Sequence, residues 1–215
     1  MARIGILDLQ GGVVEHLDHL ERLGVTAVRV KQAKDFQDLT GLILPGGESS
    51  CLGKLLQLYG LDHIIRERFA AGLKLWGTCA GAILIAKRVD GEPSHLALMD
   101  VDIQRNAFGS QLDSFNIEAE VPAVDTHPLP LTFIRAPKIT RLGQGVHSLL
   151  GIDDYWAAAE DQQTLVTIFH PELTANSAFH RYFCHKCNLK TETPREESDE
   201  VAWQRNSWMR FAATP

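Results

Sequence analysis

Apolar positions in the first half of the chain alternate between two periods. Short unbroken runs, Ile4-Gly5-Ile6-Leu7, Val25 to Val30, Leu42-Ile43-Leu44 and Leu73 to Trp76, predict buried strands. Between them the spacing lengthens to three and four residues. Val13, Leu17, Leu20 and Leu23 predict a helix closed by Gly24, and Leu52, Leu55 and Leu56 a helix capped by Ser49 or Ser50. A third helical stretch, Ile64 to Phe69, stops near Gly72, and a fourth is expected over Ile83 to Lys87. Apolar strands separated by helices imply a mostly parallel sheet covered on both faces.

From Met99 onward the pattern shortens and alternates. Val101 to Ile103, Asn116 to Val121, Leu131 to Ile134 and Trp156 to Ala159 predict antiparallel strands with one wetter face. Leu165 to Phe169 reads as a buried strand with His170-Pro171-Glu172 at its C-terminal end, and a last helix is expected from about Ala175 to Cys184. Neither a repeat nor an internal boundary interrupts residues 1–188, which are expected to form one domain. Residues 189–215 read differently. Glu192 to Glu200 is acidic and polar, and Trp203, Trp208, Met209 and Phe211 follow it, the pattern of a tail that is either disordered or docks.

Composition narrows the class. A formal net charge of -6 argues against a sequence-independent nucleic-acid binder, while leaving room for a local arginine pocket that takes a small acid. No run approaches the roughly 18 apolar residues of a membrane span, and Met1 to Gly5 enters a strand without an apolar leader. Four cysteines in 215 residues do not make a disulfide framework. The expected location is the cytoplasm, where a cysteine is free to act as a nucleophile.

Gly77-Thr78-Cys79-Ala80-Gly81 has the form of a nucleophile elbow at a strand-to-helix junction. Its glycines allow a turn too tight for side chains. The helix N-terminus favours a Cys79 thiolate and points the Ala80 N–H at a developing oxyanion. In His170-Pro171-Glu172 the proline disfavours helical backbone at His170, so the segment is expected to stay extended with His170 and Glu172 on one side. Glu172 can then orient the imidazole toward Cys79. Pro45-Gly46-Gly47-Glu48-Ser49-Ser50 is a third glycine-rich strand end, suited to an oxyanion or a carboxylate.

Other features carry less. Cys184-His185-Lys186-Cys187 lacks a second ligand pair and reads as a frayed helix end. His16 and His19 are expected on a solvated or partner-facing side of their helix, Cys51 as packing, and Arg66-Glu67-Arg68 as a solvated run. No metal or cofactor is expected.

Leu9-Gln10-Gly11, Pro45 to Ser49, Gly77 to Gly81 and His170-Pro171-Glu172-Leu173-Thr174 stand in the order seen in class I glutamine amidotransferases, and the chain resembles that family. Arg105 to Phe115 (RNAFGSQLDSF) and Phe133-Ile134-Arg135-Ala136-Pro137 are similar, more narrowly, to the glutaminase-subunit family of pyridoxal 5'-phosphate synthase. The similarity covers about residues 3–187. It implies a flavodoxin-like three-layer α/β fold and hydrolysis of L-glutamine to glutamate and ammonia. Cys79 would form a γ-glutamyl thioester, with His170 as acid and base and Glu172 as orienter. The family's glutamine contacts fall on Gly47, Glu48, Ser49, Arg105, Ile134 and Arg135, and its oxyanion hole on Gly47 and Ala80. An arginine suits the substrate α-carboxylate, and Glu48 suits the α-amino group. The resemblance also implies a (β/α)8-barrel synthase partner that receives the ammonia. Glutaminase activity is expected to stay low until it docks, with Gly46-Gly47 as hinge. Three readings compete: an imidazole-glycerol-phosphate synthase subunit, a cysteine hydrolase or chaperone of a related α/β class, and a non-catalytic binding subunit. The Arg105 to Phe115 segment, the His-Pro-Glu placement and the intact triad argue against them in turn.

Overall fold

The structure, a computed structural model, describes residues 2–105 and 114–192. The expectations for residues 106–113 of the signature segment and for residues 193–215 of the tail fall outside the described residues.

Seven elements build the first half: β1 (Arg3–Leu7), α1 (Val13–Arg22), β2 (Ala27–Val30), β3 (Leu39–Leu44), α2 (Ser49–Leu58), α3 (Leu61–Ala70) and β4 (Lys74–Thr78). Next come α4 (Ala80–Ile85), β5 (Ala86–Val89), β6 (Met99–Gln104), β7 (Ser114–Ala119), β8 (Leu129–Ile134), β9 (Lys138–Leu142), β10 (His147–Ile152), β11 (Tyr155–Glu160), β12 (Thr164–Thr167) and α5 (Ala178–Lys186). The main sheet runs β2-β1-β3-β4-β12-β11-β9-β6-β5, with β10 paired to β11, and β7 and β8 form a separate hairpin. The strands from β2 to β12 pair in parallel. From β12 through β11 and β9 to β6 the pairing is antiparallel. The expected mixture of a parallel first half and an antiparallel second half is therefore what the chain forms.

The parallel strands are apolar throughout because both of their faces are covered, and Ile4, Ile6, Leu42, Ile43, Leu75 and Trp76 are fully buried. Gly24 closes α1 as expected. At φ +68 it lets its own N–H reach the Glu21 carbonyl and the Val25 N–H reach that of Leu20, the paired bonds of a Schellman cap.

Several expectations need correction. Glu48, not a serine, caps α2, its carboxylate accepting the N–H groups of Ser50 (3.1 Å) and Cys51 (2.6 Å). A carboxylate offers two acceptors to a helix N-terminus where a hydroxyl offers one. The helix expected over Ile83 to Lys87 begins at Ala80 and ends at Ile85, and Ala86 enters a strand paired with β6. The last helix starts at Ala178 rather than Ala175. His170 to Glu172 does not stay extended, because Pro171 opens a 3₁₀ turn over Pro171–Leu173, as proline does at a first helical position.

His16 and His19 are the largest correction. Both are fully buried. His16 shares a helix face with Val13 and Leu20 and packs against Trp76 of β4 and His180 of α5, while His19 stacks on His180 at 4.1 Å between ring centres. Cys51 is exposed rather than packed, whereas Cys184 and Cys187 are buried, and burial pushes both of their thiols up. Among the described residues no helix is long and apolar enough to cross a membrane.

Candidate active site

The C-terminal ends of β3, β4 and β12 lie side by side, and the three motifs emerge from those ends. β4 runs straight into Cys79, which precedes α4. Its N–H is anchored to the Thr167 carbonyl of β12 at 2.8 Å. Cys79 takes φ +47, a region side chains avoid, and buried neighbours on both sides hold it there. The glycines of the elbow are sterically required. A methyl group on Gly77 would stand 2.5 Å from the Gly81 backbone, and one on Gly81 would overlap the Leu44 carbonyl. At the start of α4 the Ala80 N–H belongs to the first turn, whose donors have no partner within the helix.

His170 leaves the sheet after β12 with its N–H bonded to the Thr132 carbonyl of β8 at 2.8 Å. Its Nδ1 lies 2.7 Å from Glu172 Oε1, and the imidazole and the Cys79 side chain line the same cleft. The 3₁₀ turn brings imidazole and carboxylate together where an extended segment had been expected to do so. Burial alone would push His170 down. The Glu172 carboxylate and Cys79 outweigh it and raise the imidazole well above its ordinary value. Burial likewise pushes Glu172 up, but the charge and hydrogen bond of His170 overcome it, with His16 beside them, and the carboxyl is lowered. The pair is thus poised as imidazolium and carboxylate beside the Cys79 sulfur.

These side chains face an open cleft of about 340 Å³ whose lining includes Gln10, Gly47, Glu48, Cys79, Arg105 and His170. Ser49, Ala80, Ile134 and Arg135 line it too. Every site residue singled out from the sequence except Glu172 lines this cleft, and Glu172 stands buried behind His170. On one wall Arg105 is held by Ser50 Oγ at 3.2 Å, by Glu48 Oε1 at 3.5 Å and by a close ion pair with Glu92. Glu48 is therefore both the cap of α2 and an arginine partner, and the backbone N–H of Cys51 is what chiefly lowers its carboxyl. On the opposite wall the Ile134 carbonyl lies 4.0 Å from Cys79 Sγ, and Arg135 adopts φ +46. The glycine turn is tied down as well. Gly46 N–H donates to Thr78 Oγ1 at 2.9 Å and Glu48 N–H to Gln10 Oε1 at 3.3 Å.

Gln10, Thr78 and Glu92 were missed as site residues. Gln10 and Thr78 sit inside the quoted motifs, so a signal existed. Glu92 follows β5 in a turn with no local pattern, and only tertiary contact shows it. Among the described residues no group of three or more His, Cys, Asp or Glu side chains is arranged to hold a metal ion. The cleft can thus bring a nucleophilic sulfur, a proton-carrying imidazole and backbone N–H donors to one acyl carbon. Arg105, on the same cleft, is placed for an anionic group.

Comparison with known proteins agrees with this chemistry. The SNO glutamine amidotransferase family matches residues 6–189. The pyridoxal 5'-phosphate synthase subunit PdxT of Syntrophus aciditrophicus is 55% identical over 211 residues, covering 97% of this chain and 94% of the relative. That of Clostridium botulinum is 48% identical over 188 residues, covering 86% and 97%. A crystal structure of a glutamine amidotransferase superposes with a TM-score of 0.82 at 40% identity, covering 86% of this chain and 99% of that one.

Proposed function

The chain belongs to the SNO glutamine amidotransferase family, and from that premise we propose that it hydrolyses L-glutamine and delivers the ammonia for synthesis of pyridoxal 5'-phosphate. The observation that carries this reading is Cys79, held on a strained elbow beside a His170 that is hydrogen-bonded to Glu172 at the floor of the cleft.

Cys79 sulfur attacks the side-chain amide carbon of glutamine. The tetrahedral oxyanion is received by the N–H groups of Gly47 and Ala80, aimed at charge that develops in the transition state. His170 gives its proton to the departing nitrogen, and ammonia leaves a γ-glutamyl thioester. Water then attacks the thioester carbon, losing a proton to His170, and glutamate departs as the sulfur recovers its electron pair. Glu172 keeps one tautomer of His170 throughout. Arg105 pairs with the α-carboxylate and Glu48 with the α-amino group, while Ser49, Ile134 and Arg135 complete the amino-acid pocket.

The ammonia passes to a (β/α)8-barrel synthase subunit seated over the cleft, and its docking frees Gly47 to complete the oxyanion hole. The reaction is assigned to the cytoplasm, a reading supported by cysteines that are all free thiols.

The test is ammonia release from glutamine by the purified chain, with and without a barrel synthase subunit. Release that rises strongly with the barrel is expected. Strong release indifferent to the barrel would reassign the partner, and no release from folded protein in either case would remove the glutaminase reading.

A further inference from the structure

Glu172 uses one oxygen on His170. The other, Oε2, is buried without a hydrogen-bond partner and faces His16 Nε2 at 3.7 Å. The same nitrogen lies 3.5 Å from Thr78 Oγ1, the atom that accepts the Gly46 N–H. On its far side, His16 Nδ1 is 2.8 Å from His180 Nε2, and the remaining His180 nitrogen, Nδ1, is buried without a partner.

We propose that His16 is a positioning residue for the glutaminase reaction, pointing its Nε2–H at Glu172 Oε2 across a 3.7 Å contact and linking the triad carboxylate, through Thr78, to the glycine turn. The proposal rests on the reading of Cys79, His170 and Glu172 given above.

Counting donors selects this arrangement. With the proton on Nε2, His16 offers a donor to Glu172 and a lone pair to the His180 Nε2–H. The His180 Nδ1 lone pair and the Thr78 hydroxyl proton are then left unmet. With the proton on Nδ1, His180 must accept at Nε2 and carry its own proton on Nδ1. That buries an N–H without an acceptor and sets the His16 lone pair against the Glu172 carboxylate. Leaving a buried N–H and a buried carboxylate oxygen both unmet costs more than leaving a hydroxyl proton and an imidazole lone pair unmet, because the charged oxygen carries the largest desolvation penalty. Both rings are neutral, as the argument needs. Burial pushes His16 down to about 4 and, with the Arg22 charge nearby, lowers His180 well below its ordinary value.

The consequence is rotational. A carboxylate held at one oxygen can swing about its Cγ–Cδ bond, and a donor at the second oxygen stops that motion. Oε1 then stays at His170 Nδ1, and Nε2 of His170 stays directed to Cys79. A carboxylate with both oxygens held is an orienter set before substrate arrives, which is how outer partners of site residues act.

The experiment uses the full chain with the barrel synthase subunit and compares wild type with His16→Leu and His16→Gln. His16→Leu is expected to lower kcat for ammonia release about 10- to 100-fold with KM unchanged. It should also shift the downfield proton resonance of His170 Nδ1–H. His16→Gln, whose amide can donate to Oε2, is expected to recover most of both. A folded His16→Leu with wild-type kcat and an unmoved resonance overturns the proposal. Equal losses in both variants with an unmoved resonance show a merely structural role and overturn it too. Nitrogen chemical shifts of labelled histidine in the wild-type protein decide the matter without any variant. Protonated Nε2 and bare Nδ1 at His16 are expected, and the opposite tautomer refutes the proposal. Absence of ammonia release from wild type would remove the glutaminase reading alone, since the resonance and tautomer still report the His16–Glu172 contact.

Discussion

The imidazole of His170 lies against the bare α-carbon of Gly46. A methyl group there would overlap its Cε1 and stand 2.9 Å from its Nδ1. The glycine turn and the triad base are therefore one packed unit, and Gly46 has no side chain because His170 occupies that space. Gly46→Ala is expected to displace the imidazole and lower kcat at least tenfold, because misplacing a reacting group by about 1 Å can cost 100-fold. Thermal unfolding should move down as well, since Gly46 is buried against the ring. Wild-type turnover would show that the ring has room the structure does not give it.

Cys79→Ala removes the nucleophile while relaxing a backbone strained at φ +47 only slightly. Ammonia release should fall to background, and binding of the barrel subunit, followed by analytical ultracentrifugation, should persist. Residual turnover at the wild-type rate would take Cys79 out of the reaction.

Arg105 is the cation placed for the glutamine α-carboxylate, and Ser50, Glu48 and Glu92 hold it in place beforehand. Arg105→Ala should raise the KM for glutamine by the equivalent of about 1.5–3 kcal/mol, the value of a charge-assisted hydrogen bond. The effect on kcat should be smaller. Steady-state kinetics with an unchanged KM would move the carboxylate subsite elsewhere.

Acid sensitivity follows from the buried histidines. His16, His19 and His180 all have folded-state values below 6.5 because burial disfavours the charged ring. The unfolded chain therefore binds more protons as pH falls through the ordinary histidine value, and stability drops. A shift to about 4 at His16 is worth on the order of 3 kcal/mol once pH reaches that value. His170 acts the other way. Its raised value adds stability below the unfolded pKa, lost as pH rises through the folded one. Glu172, lowered, contributes above its unfolded value and is lost only as pH falls through its folded one. With three rings against one, urea midpoints should fall between pH 7 and pH 5. A flat profile over that range would mean that the three rings take up protons in the folded protein as readily as in the unfolded chain.

The chain's local rules were readable without coordinates. Gly77 is demanded by contacts within its own turn and Gly24 by a helix end, so residue type alone betrays them, whereas Gly81 answers to Leu44 and Gly46 to His170. Apolar runs distinguish strands buried on both faces from the alternating strands after Met99, and the motif order places Cys79, His170 and Glu172 at strand ends. Those signals have a range of a few residues, the range over which backbone sterics and side-chain period act.

What lay beyond that range was decided by tertiary structure. Glu48 displaced Ser49 and Ser50 as the cap because its carboxylate reaches two backbone donors and the incoming Arg105. The 3₁₀ turn at Pro171 replaced the extended segment while still bringing Glu172 to His170. Glu92 entered the site from a turn that carries no pattern of its own. His16 and His19, which look like surface polar residues in a helical period, are buried because α5 sets His180 against them, 164 positions along the chain from His16. A histidine's burial depends on which element packs over it and supplies its hydrogen bonds. That choice is made by the packing of α1 and α5 on the sheet, not by the residues beside it in the sequence.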